Sequence, residues 1–127
     1  MSNLTLPSYI PIIQESIDRI NKNTSSINDA NKVRIFNKII NDLYELIVFL
    51  DEYIYQRKNN LINQNSLIIY VRDFQPRMKK HLPNLGYIYS IGGIDNVNMR
   101  RIEGLISDLD KLHMIRLEND FTTIDEN

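Results

Sequence analysis

The sequence predicts an all-α fold, a four-helix bundle-like single domain with one long central helix, and three observations carry that expectation. Apolar residues recur at gaps of three and four along four separate segments, the period that lines up one face of an α-helix. Glycine and proline, the strongest breakers of regular structure, number only four each. At 127 residues, 43% hydrophobic and 24% charged, the chain has the size of one domain and an ordinary globular composition. Residues 1–127 therefore read as a single helical domain, with 118–127 a frayed tail that has little to bury.

The first helix is expected from about Ser8 to Lys22, where Leu6, Ile10, Ile13, Ile17 and Ile20 share a face and Pro7 and Pro11 lie near a tolerant first turn. The polar run Asn23 to Asp29 then offers side-chain oxygens that can accept from the free amides of a new helix. The second helix, about Ala30 to Arg57, has the strongest pattern. Val33, Phe36, Ile40, Leu43, Ile47, Leu50 and Ile54 alternate gaps of three and four, and Ile39, Leu46 and Tyr53 add a second line spaced by seven. Such a wide apolar face needs more than one neighbour, which makes this helix the spine.

A polar link over Lys58 to Asn65 leads into a third stripe, Leu67, Val71, Phe74, Met78 and Leu82. Pro76 is expected to kink or split that helix after Phe74, and Pro83 with Gly86 to stop it. A rival reading exists here: 67–71 and 87–91 are rich in β-branched residues, and an α+β fold with a small hairpin from those two stretches is the alternative. The last helix opens at Asp95 or Asn96, with Asp95 suited to cap it. It carries Met99, Ile102, Leu105, Ile106, Leu109 and Leu112, and ends near Leu117.

Composition excludes several chemistries. With no cysteine there is no thiolate nucleophile, disulfide or Cys-based zinc site. A formal net charge of −1 gives no whole-molecule attraction to nucleic acid or anionic lipid. The longest dense apolar run, Leu43 to Leu50, is interrupted by Glu45 and too short to span a bilayer, and the N-terminus lacks a positive signal-peptide region, so the expected location is cytoplasmic, with no membrane partner. Asp110 and His113 stand three apart, as in carboxylate-histidine metal pairs, but His81 has Met78 in the matching position. Neither a metal nor a cofactor is expected.

The stretch Arg77 to Gly93, RMKKHLPNLGYIYSIGG, concentrates the remaining chemical interest. Its glycines are followed by Ile-Asp rather than Lys-Ser/Thr, so a Walker-type phosphate loop is not indicated. Arg77, Lys79, Lys80 and His81 read as a positive helix C-terminus. The acidic pairs Glu15 with Asp18, Asp42 with Glu45, and Asp108 with Asp110 read as surface charge, with Asp42 and Glu45 marking a polar edge.

Apolar helix surface thus exceeds the supply of reactive groups. The expected function is a nonenzymatic protein-binding module, an inhibitor or immunity-type protein or an accessory subunit, whose partner is another protein or a second copy in a homodimer. It would act through the long helix and a Tyr-rich loop, with Tyr87, Tyr89, Phe49 and Tyr53 as the partner-binding residues. The alternative is a nucleic-acid-binding or RNA-cleaving helical protein. It would use Arg72, Arg77, Lys80, His81, Arg100 and Arg101 on the phosphates, with an Arg and a His one turn apart to position and protonate an ester.

Overall fold

Four helices account for the regular structure of the described residues: α1 (Leu6–Thr24), α2 (Ala30–Lys58), α3 (Gln64–Ser90) and α4 (Asn96–Ser107). The structure is a computed structural model that describes residues 6–59 and 64–110, the side chains of 64–68 excepted. The link over 60–63, the continuation of the last helix through Leu112 to Leu117, His113 and the tail 118–127 lie outside the described residues.

Connections of five residues join α1 to α2 and α3 to α4, short enough to make each pair an antiparallel hairpin. Within the hairpins the helices approach closely; α1 also touches α4, while α2 and α3 meet at longer range through large side chains. At 29 residues α2 is about 43 Å long at the usual rise. The core is the set of faces that the period of three and four selects: Ile13, Ile17 and Ile20 from α1, Phe36, Ile39, Leu43, Leu46 and Leu50 from α2, and Ile102, Leu105 and Ile106 from α4 are all buried.

The turn within each hairpin is closed by an aspartate. Asp29 accepts from the amides of Asn31 (2.9 Å) and Lys32 (3.3 Å), and Asp95 from the amide of Asn98 (2.7 Å), so each satisfies donors that the first helical turn leaves free. At the other end of α4, the buried Gln75 of α3 donates to the carbonyls of Ile106 (2.8 Å) and Ser107 (3.3 Å).

Four expectations about α3 are corrected. The helix is not split at Pro76 and not stopped by Pro83 or Gly86; it runs continuously to Ser90. Each proline removes the donor for a carbonyl four residues back, on Arg72 and Lys79. Both of those residues are exposed, so water replaces the lost bond and no polar group is stranded in the core. The gain on the opposite face is burial of Leu85 and Ile88, which lie beyond the prolines. The hairpin alternative falls with the same observation, because residues 67–71 and 87–90 all lie in α3. A helical period of burial has overridden local β propensity. Tyr87 and Tyr89 therefore stand on the last turns of a helix and not in a loop.

The stop comes at Gly92, which adopts φ +80°. Its amide bonds to the carbonyl of Tyr89 (3.0 Å), and the amide of Gly93 reaches back to that of Ile88 (2.8 Å), the paired pattern of a Schellman cap. A Cβ on Gly93 would lie 2.5 Å from Cγ2 of the buried Ile88. The glycine pair that a phosphate loop might have claimed is thus a helix terminator.

Candidate functional site

The seam between α2 and α3 brings together the charged residues that the sequence left scattered. Asp42 and Glu45 lie three apart on α2, and Arg77 and His81 four apart on α3, spacings that place each pair on one helical face. Arg77 donates from Nη2 to Oε2 of Glu45, and its Nε stands 3.7 Å from Oδ1 of Asp42. His81 Nε2 stands 3.4 Å from the other Asp42 oxygen. Asp42 is only 1% exposed, so the reading of this acidic pair as surface charge is corrected for that member. Arg77 and His81 are likewise mid-helix residues of α3 and not its C-terminal charge cluster.

Electrostatics follow from this burial. The pKa of His81 is lowered, chiefly because its ring is taken out of water; Asp42 opposes the shift, while Lys38, Lys80 and Arg77 add to it. Arg77 is held still more firmly charged, first by its bond to Glu45. Asp42 Oδ2, Arg77 Nε and His81 Nδ1 make no hydrogen bond among the described residues, so the buried carboxylate is balanced by nearby charge more than by directed bonds.

Below this cluster the seam becomes aromatic. Phe49 of α2 stacks on Tyr70 of α3 at 4.6 Å between centroids, and also lies against Tyr53 and Phe74. The Arg77 guanidinium sits 5.3 Å over the Phe74 ring. Glu45, Tyr70, Asp73, Phe74 and Arg77 line an open cleft of about 340 Å³. Burial raises the pKa of Tyr70, with Glu45 contributing and Arg77 opposing.

Of the four aromatic residues expected to meet a partner, Phe49 (6% exposed) and Tyr53 (2%) are buried in this seam and hold the chain's own helices together. Tyr87 is half exposed; it stacks on Phe36 at 6.0 Å, with Lys32 Nζ 5.6 Å from its ring. Tyr89 is exposed. Of the basic set, Arg77 and His81 meet carboxylates as described, Arg72 and Lys80 are exposed on α3, Arg100 donates to Asn96 Oδ1 (3.2 Å) within α4, and Arg101 lies on the same helix.

Two features were missed from sequence. Asp42 stands three residues after Ile39 and four before Leu46, squarely on the second apolar line of α2, and that position was the signal of a buried carboxylate. The exposed residues Tyr44 (43%), Val48 (65%) and Tyr55 (58%), at gaps of four and seven, form an outer stripe on α2 whose members were hidden from attention by the stronger inner face.

Among the described residues no group of three or more His, Asp or Glu side chains is placed to hold a metal ion, and no helix is long and apolar enough to cross a membrane. Comparison with protein-family models, with curated proteins and with solved structures found no match to this chain.

Proposed function

We propose that this chain is a small nonenzymatic protein-binding module whose working surface is the outer face of α2. The observation that carries the reading is the stripe of Tyr44, Val48 and Tyr55, large apolar side chains exposed along one line of the longest helix. Rigid aromatic side chains lose little conformational entropy on docking and bury large areas, so they suit an interface. Tyr89, exposed near the end of α3, is a second contact point. An inhibitor, an immunity-type protein or an accessory subunit would each use a surface of this kind.

The nucleic-acid or RNA-cleaving alternative draws less support from the same geometry. Arg77 is committed to Glu45 and lies beside Asp42, and one imidazole nitrogen of His81 faces Asp42 while the other is buried. A guanidinium and an imidazole turned inward onto carboxylates are poorly presented to a phosphate ester.

The test is site-specific photo-crosslinking in cells that make the protein, with p-benzoylphenylalanine in place of Val48. A discrete protein adduct is expected from that position and not from Lys79, which is exposed on α3. Equal labelling from both positions, or none from either, overturns the proposal.

A further inference from the structure

The outer stripe of α2 continues in both directions at the spacing of a coiled-coil seam. Between Arg34 and Tyr55, every third or fourth residue is exposed: Asn37, Asn41, Tyr44, Val48 and Asp51 complete an unbroken alternation of gaps of three and four. The seam is about 32 Å long at the helical rise. It is amphiphilic, with Tyr44 and Val48 near its middle, Tyr55 at its C-terminal end and polar residues elsewhere, and polar side chains in such a seam fix orientation and register at some cost in affinity.

The charge order along this seam selects its occupant. The N-terminal half of α2 carries Lys32, Arg34 and Lys38, and the exposed residues between Tyr44 and Tyr55 include Asp51 and Glu52. A second α2 laid parallel and in register would set Arg34 on Arg34 and Asp51 on Asp51. Laid antiparallel about Tyr44, it sets Arg34 of each copy against Tyr55 and Glu52 of the other, Asn37 against Asp51, and Asn41 against Val48. The charged contacts are then a cation on a ring or carboxylate and an amide on a carboxylate, while Asn41 lies against the apolar Val48. The two tyrosines meet at the axis.

We infer that a second copy of this chain packs antiparallel on the outer face of α2, with Tyr44 at the two-fold axis. The inference rests on the reading of that face as a protein-binding surface and names its partner. The interface is isologous, so each contact occurs twice and any substitution in it is felt twice.

The chain has no cysteine, so Tyr44→Cys introduces a single thiol at the proposed axis. With oxidised glutathione the purified variant should form a disulfide-linked dimer, and Val97→Cys, exposed on α4, should not. Sedimentation equilibrium of the purified chain should show a reversible dimer. Arg34→Glu should weaken it about tenfold through its two symmetry-related contacts, and Arg34→Glu with Glu52→Arg should restore it to within about twofold. Both positions are exposed, and far-UV circular dichroism should confirm that the variants fold. A double variant as weak as the single, or equal crosslinking from Val97→Cys, overturns the antiparallel dimer. A strictly monomeric chain whose Val48 position still captures a different polypeptide in cells overturns the dimer alone; a monomer with no adduct ends the protein-binding reading as well.

Discussion

Asp42 of α2 and His81 of α3 face one another at 3.4 Å across a seam in which the carboxylate is almost entirely removed from water. Breaking this pair from its two sides should have unequal consequences. Above pH 6.5 the His81 ring is neutral, so His81→Leu takes a polar neighbour and not a counter-charge from the buried carboxylate, which keeps Arg77, and should cost about 2 kcal/mol in urea unfolding. Asp42→Leu leaves a ring that is neutral when unprotonated, and should cost about 1 kcal/mol or less. The double leucine variant should recover most of the stability lost in His81→Leu. A double variant whose loss equals the sum of the two single losses would show that the pair contributes nothing to the seam.

Acidification should weaken the fold through the same residue. Burial holds the His81 pKa below its ordinary value of 6.5, with Asp42 opposing and Lys38, Lys80 and Arg77 reinforcing. Between 6.5 and that lower folded value the unfolded chain binds a proton that the folded chain resists. Stability is therefore full above pH 6.5 and falls as pH drops through this window. A His81→Gln variant should show a shallower decline over the same interval, measured as the urea midpoint at each pH. Identical pH profiles for wild type and variant would exclude His81 as the responsible group.

The end of α3 should be sensitive to single methyl groups. Gly92→Ala forces a Cβ into a left-handed backbone at φ +80° and should cost about 1–2 kcal/mol. Gly93→Ala should cost more, about 2–3 kcal/mol, because its Cβ meets the Ile88 methyl and that residue has no room to retreat from the core. Thermal unfolding of the two variants checks the order.

Proline removal on the outer side of α3 should stabilise. Pro83→Ala returns an amide to the helix and a partner to the Lys79 carbonyl. Helix propensity favours it by up to about 3 kcal/mol, offset by the greater freedom of the unfolded chain. A net gain of about 1 kcal/mol is expected in urea unfolding. A loss would mean that Pro83 itself is needed to seat Leu85 and Ile88.

The fold was legible because burial here follows a single period. Leu43, Leu46 and Leu50, or Ile13, Ile17 and Ile20, fall on one face whatever their neighbours do, and Asp29 and Asp95 cap by local geometry alone. The path of α3 was not legible, since propensity assigns Pro83 the same penalty on either side of a helix, whereas the real penalty depends on whether the stranded carbonyl reaches water. The site was partly legible. Arg77, His81, Asp42 and Glu45 were each singled out, but as members of separate surface groups; their convergence is a property of how α2 meets α3, and no spacing along one chain segment reports it. Phe49 and Tyr53 illustrate the same limit: an aromatic on a wide apolar face looks alike whether the neighbour it meets is its own chain or another.

Arg19 of α1 donates to the carbonyl of Gly92 at 3.3 Å, a bond between residues 73 apart in sequence, and its guanidinium also lies 3.8 Å from Asp95. Each hairpin can assemble from contacts close along the chain, but this tie closes only when the two halves dock. Loss of Arg19 should therefore leave the refolding rate nearly unchanged and accelerate unfolding, the kinetic mark of a clasp fastened after the main barrier has been crossed.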